Sequence, residues 1–364
     1  MNKTIRIVPI EPIETRYTGQ WFKYFPKIIR HYLDAATRYN DDVMQYHPDV
    51  VIPTDVTPGA FLNFSGTSVY KSAQMKLIAD DFANGTVKAG DIFIFTDAWN
   101  PNILQVKYLS ELLHIPVKLM GLWHAGSYDP HDFLGRAAGH EAWAKSTEEA
   151  LFYALDVNVF ATQFHADLFV DNRVQGFDPR AKAEKILISG WPMDYLAKEL
   201  EPFKTVTKEP IVVFPHRIAP EKQVEIFRDL GKSFPDYKFI VCQDQKLTKD
   251  EYHKLLASSV VTFSCSLQET LGISMMEGML LGSMPLVPDR LSYSEMYEEY
   301  FKYPSEWTES WESYLKHKEE LVESMKNILD YSMYLSEDEY DHFKDDTNVV
   351  YQNYFNCYEI LRSI

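Results

Sequence analysis

Two glutamates in an otherwise apolar segment carry the clearest chemical signal in this sequence. Glu269 and Glu277 lie in "SCSLQETLGISMMEGMLLGSMPLVP" (264–288), which otherwise consists mainly of Leu, Met, Ile, Ser and Gly. A buried helix would exclude carboxylates, and a solvated helix would carry more of them. Ionised carboxylates accept hydrogen bonds from hydroxyl groups, and each such bond contributes about 1.5–3 kcal/mol. The pair therefore predicts a site for a ligand that carries hydroxyl groups.

The order of elements around these acids predicts an anion site between them. Glu269 projects from the loop after the apolar strand "VVTFSC", and Glu277 lies about one turn into a helix that begins near Gly272. The first turn of a helix offers unpaired N–H groups and the positive end of the helix dipole, and a glycine allows close approach of a ligand. A ligand with hydroxyl groups at both ends and phosphate between them is a sugar nucleotide. We predict that Thr270, Leu271 and Gly272, in the loop before the helix, also contact this ligand. The alternative is an exposed Glu277 and a Glu269 that only suits the helix dipole.

A second segment, "FPHRIAPEKQ" (214–223), carries two cations at a comparable place. Arg217 and Lys222 follow the strand "IVVFP" (211–215), where that strand leads into a helix. Cations in this position could neutralise the diphosphate of a departing nucleotide. For either cation alone, a solvated basic residue is the alternative. Both features together, at strand ends of one domain, favour a sugar-nucleotide site over coincidence.

The elements that must position these residues form an α/β pattern. Short apolar runs such as "DIFIFT" (91–96) alternate with amphipathic helical stretches, as in a doubly wound parallel sheet, and the pattern restarts after the polar segment 196–210. We predict two Rossmann-like domains, 1–200 and 201–345, facing a central cleft, with a C-terminal helix over 346–364 that could pack back on the first domain. Ligands of such sheets bind at the carboxyl ends of the strands.

Composition narrows the class of protein further. The 364 residues exceed the usual size of one core, and 46% of them are hydrophobic, enough to bury a full core. The formal net charge of −17 argues against a protein that coats nucleic acid. We find no signal peptide and no run that approaches a membrane span. The three cysteines are far apart and fit reduced thiols, so we expect a cytoplasmic protein.

The second half resembles the retaining glycosyltransferases of the GT-B fold, which include sucrose, trehalose-phosphate and mannosyl transferases. Their E-x7-E motif is similar to Glu269–Glu277, and their Arg-x4-Lys pair matches Arg217 and Lys222 by spacing. The resemblance lies mainly in residues 185–288. It implies that Glu269 contacts the donor sugar, that Glu277 contacts the ribose, and that the donor is a nucleoside diphosphate sugar, with UDP the expected nucleotide.

Candidates in the first half rest partly on that resemblance. His124 matches the position where the family often has a histidine beside the donor sugar, and we add it to the catalytic set; a structural histidine is the alternative. The family's glycine-rich turn after the first strand is replaced by "EPIETRYTGQW" (11–21), in which only Gly19 is left as a donor contact. The glycine that precedes the arginine in the family is also replaced, here by Phe214, Pro215 and His216.

Acceptor contacts are predicted at strand ends of the same half. "FTDAWNPN" (95–102) offers Asp97, Trp99 and Asn100, although a helix N-cap is the alternative for Asn100. The segment 11–21 adds Arg16 and Tyr17.

A metal site is considered in "DPHD", through Asp129, His131 and Asp132. A turn initiated by Asp-Pro explains this segment better, and no D-x-D triplet occurs in the chain. We therefore predict no metal.

We predict a metal-independent, retaining glycosyltransferase that needs no cofactor and moves a sugar from a nucleoside diphosphate to a hydroxyl acceptor. Sugar, lipid, protein and a modified DNA base all stay open as acceptors; some compact phage enzymes of this fold modify DNA bases, and the cytoplasm would then be that of the host cell. One alternative is a sugar-nucleotide epimerase of the same fold, which needs an acid/base set that we cannot assign. The other is a non-catalytic sugar-nucleotide binding protein, which would keep the carboxylates and lose the cations.

Overall fold

The computed structural model describes residues 3–13, 16–36, 41–53, 55, 62–174, 176, 179–334 and 336–364. The chain folds into two compact units. The first comprises Met1–Ala161, Ala166–Pro192 and Cys357–Ile364, and the second comprises Thr162–His165 and Met193–Asn356. The observed bounds therefore fall at Pro192 and Asn356, where the sequence suggested residues 200 and 345.

The first unit is built on a six-stranded parallel sheet with the order β2-β1-β3-β4-β5-β6. Its strands are β1 (Thr4–Val8), β2 (Asp42–Gln45), β3 (Ile92–Phe95), β4 (Lys118–Leu122), β5 (Val157–Phe160) and β6 (Ile186–Ile188). The connecting helices are α1 (Tyr17–Ala35), α2 (Phe64–Ala83), α3 (Asn102–Leu112), α4 (Phe133–Ala138), α5 (Ala142–Ala154), α6 (Gln163–Arg173) and α7 (Pro179–Lys185). Every residue of β3 is buried, as expected for a central strand covered on both faces.

The second unit contains a five-stranded parallel sheet with the order β11-β10-β9-β7-β8. Its strands are β7 (Ile211–Phe214), β8 (Lys238–Val241), β9 (Val261–Phe263), β10 (Met284–Pro288) and β11 (Lys302–Tyr303). Its helices are α8 (Leu196–Leu200), α9 (Val224–Leu230), α10 (Lys249–Ser258), α11 (Ile273–Leu280), α12 (Tyr293–Met296), α13 (Trp311–Lys316), α14 (Lys318–Tyr334) and α15 (Glu337–Tyr354). The last helix, α16 (Tyr358–Arg362), contacts β6 of the first unit.

The strand order places a topological switch point in each unit. In the first sheet, β1 lies between β2 and β3, and in the second, β7 lies between β8 and β9. Successive crossovers leave in opposite directions at β1/β3 and at β7/β9, and the carboxyl ends of the strands at such a switch point are where ligands of open α/β sheets bind. The predicted α/β class is confirmed. Within the described part of the chain, no helix has the length and apolar character needed to cross a bilayer.

Candidate active site

The loops that follow β7 and β9 bring Lys222 and Glu269 together at the switch point of the second unit. Lys222 Nζ donates to Glu269 Oε2 at 3.1 Å and to the carbonyl of Gln268. The Lys222 and Glu269 side chains are only 6% and 19% exposed. A solvated lysine is therefore excluded at position 222. The two bonds use two of the three N–H groups of the ammonium, which leaves one for a ligand.

The charge of Glu269 is maintained against its burial. Burial opposes ionisation of this carboxyl, but the Lys222 ammonium and the backbone N–H of Gly272 outweigh it and hold the pKa of Glu269 below its usual value. The N–H of Thr270 donates to Glu269 Oε1 at 3.2 Å. Glu269 is therefore a carboxylate at neutral pH. It also takes up part of the backbone N–H capacity that the sequence assigned to a bound anion.

His216 lies beside this pair and was noted in the sequence only as a replacement for a glycine. Its Nδ1 is 3.9 Å from Glu269 Oε2, and its side chain is buried. Burial and the neighbouring Lys222 ammonium lower the pKa of His216 to about 3, so the imidazole is neutral and forms no ion pair. Its Nε2 makes no hydrogen bond with the described residues.

Arg217 is placed differently from Lys222. Its side chain is 38% exposed, and its guanidinium bonds to the buried carboxylate of Glu221, four residues further on. Arg217 is thus available at the surface of the loop, with part of its hydrogen-bonding capacity already used.

The turn that carries Lys222 is tied to the loop after β9 at several points. The N–H of Leu267 donates to the carbonyl of Glu221 at 2.8 Å, and the Gln223 amide donates to the carbonyl of Cys265 at 2.7 Å. Gln223 adopts a left-handed backbone conformation, with φ of 52°, between the turn and α9. These bonds fix the Lys222–Glu269 distance because both partners belong to one hydrogen-bonded unit.

Glu277 is a half-buried acceptor at the second turn of α11, not an exposed helix residue. Its side chain is 13% exposed; Tyr252 Oη donates to its Oε2 at 2.9 Å, and His253 Nε2 lies 3.7 Å from its Oε1. Gly272 directly precedes the helix with φ of +73°. A Cβ on Gly272 would lie 2.8 Å from Tyr293 Cε1, so both the backbone conformation and the space require glycine here.

The other residues predicted around this loop are buried. Thr270 and Leu271 are both nearly inaccessible, so their side chains face the protein, and only their backbone could serve a ligand. Arg290, which the sequence analysis missed, donates to the carbonyls of Cys265 and Ser266 at 2.9 and 2.8 Å. It lies two residues after the end of β10 and could have been found by the same strand-end rule that selected the other residues.

In the first unit, His124 is held in one tautomer. Its Nε2 donates to the carbonyl of Thr96 at 2.8 Å, so its Nδ1 accepts from Tyr17 Oη at 2.9 Å. Burial holds the pKa of His124 below its usual value even though Asp97 opposes the shift. The ring also packs among Tyr17, Trp21 and Trp191, with centroid distances of 4.8–5.9 Å. The neutral imidazole therefore has both a structural role and an aromatic setting.

The candidates after β3 are held by buried partners. Lys71 Nζ donates to Asp97 Oδ2 at 2.9 Å and to the carbonyl of Trp99 at 2.6 Å. Asn100 is buried, and its Oδ1 accepts from the N–H of Asn102, the first residue of α3. The Asn100 side chain therefore satisfies the first N–H of α3, although the N-cap position itself is Pro101.

The remaining candidates of the first unit lie near the start of α1 and after β4. Arg16 directly precedes α1, and Gly19 lies in its first turn rather than in an open loop. The Asp129 carboxylate accepts the N–H of His131 at 2.9 Å, and the Asp132 carboxylate accepts the N–H of Leu134 as the N-cap of α4. No group of three or more metal-ligating side chains occurs in the described ranges.

Several solved structures to which this chain is similar are described as sugar-phosphate synthases or glycosyltransferases. The sucrose-phosphate synthase of Thermosynechococcus elongatus is 12% identical, covers 100% of this chain and 97% of its own, and gives a TM-score of 0.61. The UDP-forming α,α-trehalose-phosphate synthase of Burkholderia xenovorans has the same identity and coverages, with a TM-score of 0.60. The lipopolysaccharide outer core galactosyltransferase WaaB, in its apo form, is 10% identical with coverages of 95% and 99% and a TM-score of 0.51.

These likenesses show the fold. The chain has the two-domain, Rossmann-like GT-B fold, as the sequence predicted. No protein-family model and no curated protein sequence matches it. At identities of 10–12%, the residue roles have to be argued from the site itself.

Proposed function

We propose that this protein is a retaining glycosyltransferase that moves a sugar from a nucleoside diphosphate to a hydroxyl acceptor. The observation that carries the proposal is the buried Lys222–Glu269 pair at the β7/β9 switch point, where the strand order opens a crevice. The fold of known glycosyltransferases supports it. We propose UDP as the nucleotide, because one of those neighbours is described as UDP-forming.

In this proposal, Glu277 binds the ribose and the start of α11 receives the diphosphate. The Tyr252 hydroxyl occupies one oxygen of Glu277, and the other faces His253 at 3.7 Å, so the carboxylate keeps acceptor capacity for ribose hydroxyls. Gly272 removes the Cβ that would stand between the backbone and a phosphate. Arg217, at the surface of its loop, contributes a second cation.

The chemistry that follows is charge stabilisation. The bond between the anomeric carbon and the phosphate oxygen breaks, and its electron pair stays on the diphosphate. The free N–H of Lys222 stabilises that developing charge. The Glu269 carboxylate stabilises the positive charge that develops on the sugar. The acceptor oxygen bonds to the same face of the anomeric carbon, and its proton passes to the departing phosphate.

We assign acceptor recognition to the first unit. Asp97 and Trp99 follow β3, and Arg16 and Tyr17 lie at the start of α1. The contact of His124 with the donor sugar stays a prediction. The acceptor itself stays among a sugar, a lipid, a protein and a modified DNA base.

Metal independence and a cytoplasmic location are also part of the proposal. Lys222 and Arg217 supply the positive charge that a divalent ion would otherwise bring to the diphosphate. The chain has only three cysteines, and all of them are buried, which suits a reducing compartment.

Product analysis with a radiolabelled UDP-sugar tests the proposal. A panel of nucleoside diphosphate sugars is first screened by thermal shift, and the best donor is then incubated with sugar, lipid, protein and hydroxymethylated-DNA acceptors. A glycoside with the anomeric configuration of the donor is the expected product. An epimerised donor would instead show an epimerase, and tight binding with an unchanged donor would show a non-catalytic binding protein.

A further inference from the structure

The first unit contains a buried carboxylate that the proposed function has not used. Glu148, on α5, is 0% exposed. Its Oε1 accepts from Trp99 Nε1 at 2.7 Å and from the N–H of Ser127 at 2.6 Å. Its Oε2 accepts from Ser127 Oγ at 2.8 Å and from Arg173 Nε at 2.5 Å. Four donors thus converge on one carboxylate.

These donors come from two loops that leave neighbouring strands. Trp99 lies two residues after Asp97 in the loop that follows β3, and Ser127 lies three residues after His124 in the loop that follows β4. β3 and β4 are paired in parallel, so both loops start at the same edge of the sheet. Glu148 therefore ties together the two loops that carry predicted site residues.

The charge of Glu148 is balanced, and both of its carboxylate oxygens are fully hydrogen-bonded. The Arg173 guanidinium balances the buried carboxylate and also donates to Ser127 Oγ at 3.0 Å. A Cβ at Gly126 would lie 2.7 Å from Glu148 Oε1, so a glycine is needed for the carboxylate to reach the loop backbone. A buried ion pair is retained at a cost unless all its partners are satisfied. Here every oxygen of Glu148 has two donors.

Hydrogen bonds connect the partners of Glu148 to Asp97 and His124. The N–H of Trp99 donates to Asp97 Oδ1 at 2.9 Å, so a shift of Trp99 displaces the Asp97 carboxylate. Tyr128, next to Ser127, donates from its hydroxyl to the carbonyl of His124 at 2.5 Å. A change at Glu148 is therefore transmitted to both residues.

We propose that Glu148 is a positioning residue, which sets the placement of Asp97 relative to His124. The expected effect of Glu148 on sugar transfer rests on the proposed function. Its expected effect on the conformation of the His124 loop does not. A carboxylate that only added stability would affect unfolding without changing the environment of His124.

The test compares two buried serines. Ser127→Ala removes one tether of Glu148, whereas Ser110→Ala is the matched control. Ser110 is also buried in the first unit, and its Oγ donates to the carbonyl of Ile115 at 2.8 Å and accepts from the N–H of Val117, which precedes β4. Each variant therefore loses one buried hydroxyl with two hydrogen bonds, but only the first touches Glu148.

Three measurements are made on each full-length variant. These are the side-chain ¹⁵N signals of His124, assigned with His124→Gln, the calorimetric Kd for UDP, and the rate at which UDP-glucose is hydrolysed to UDP and glucose, with water as the acceptor. We expect Ser127→Ala to shift the His124 signals and to lower UDP release about 10-fold, because small misplacements of reacting groups are costly. The Kd for UDP should stay within about twofold of wild type, and Ser110→Ala should match wild type in all three.

The outcomes separate this inference from the proposed function. If Ser127→Ala and Glu148→Gln both fold and leave the His124 signals as they are in Ser110→Ala, Glu148 is not a positioning residue. If wild type neither binds UDP nor turns over UDP-glucose, the proposed function fails, and the His124 signals alone decide the role of Glu148. Should Glu148→Gln not fold, Ser127→Ala still gives the answer.

Discussion

Replacing Lys222 with methionine tests the proposed chemistry most directly. Methionine keeps most of the buried volume of the lysine stem but removes the ammonium that contacts Glu269 at 3.1 Å. The diphosphate gains negative charge as the glycosidic bond breaks, so the ammonium should stabilise the transition state more than the bound donor. Loss of one such donor typically costs about 10²–10³ in kcat, or roughly 2.7–4 kcal/mol. We expect kcat to fall by that order while the donor Kd changes less than about 10-fold.

The same variant should shift the ionisation of Glu269. In wild type, the depressed pKa of Glu269 means that its charge stabilises the fold above the unfolded pKa, and this contribution is lost as pH falls through the folded pKa. Without Lys222, burial acts on the carboxyl with less opposition, so its pKa should rise. The acid limb of the kcat profile should therefore move to higher pH, and the variant should be less stable than wild type at pH 7.

Two measurements show whether Lys222 acts in catalysis or only in binding: the single-turnover rate of sugar transfer, and the calorimetric Kd for the donor. Lys254→Met serves as the matched control, because Lys254 is an exposed lysine on α10 of the same unit. Equal losses in binding and catalysis would mean that Lys222 only holds the ligand. An unmoved acid limb would separately refute the electrostatic coupling to Glu269.

Three further outcomes are expected. Glu277→Gln should raise the donor KM about 10–100-fold with a smaller change in kcat, since the ribose does not react. Its control is Glu323→Gln, on the exposed face of α14. A large fall in kcat at unchanged KM would contradict the ribose assignment. Glu269→Gln should depress kcat strongly at saturating donor, and near-normal turnover would rule out its role beside the sugar. EDTA should leave the transfer rate unchanged, whereas a loss that Mg²⁺ restores would refute metal independence.

The fold, and the proximity of the loops after β7 and β9, were predictable because the buried strands of a parallel sheet are easily recognised in a sequence. Strands buried on both faces are continuous apolar runs, and β3 is the clearest case, with all four residues buried. Once strands are assigned, the strand-end rule places Lys222 and Glu269 near one another although they lie far apart in sequence. The rule gives proximity of loops, and the structure adds the hydrogen bond between the two side chains.

Side-chain pairing over long sequence separations was not predictable from patterns. Glu148 lies in a helix whose sequence carries no sign that its carboxylate is buried, because its partners Trp99, Ser127 and Arg173 come from three other segments.

The two switch points share one arrangement, which bears on how protons move in the proposed reaction. Each unit holds a buried lysine–carboxylate pair beside a histidine whose pKa is lowered by burial: Lys71, Asp97 and His124 in the first, and Lys222, Glu269 and His216 in the second. Burial therefore disfavours the protonated form of both histidines at their usual pKa of about 6.5. This favours the departing phosphate as the group that receives the acceptor's proton. We therefore expect that neither His124 nor His216 produces a limb near pH 6.5 in the single-turnover rate. A limb near pH 6.5 that disappears in His124→Gln would show that a histidine acts as the base and that the phosphate does not.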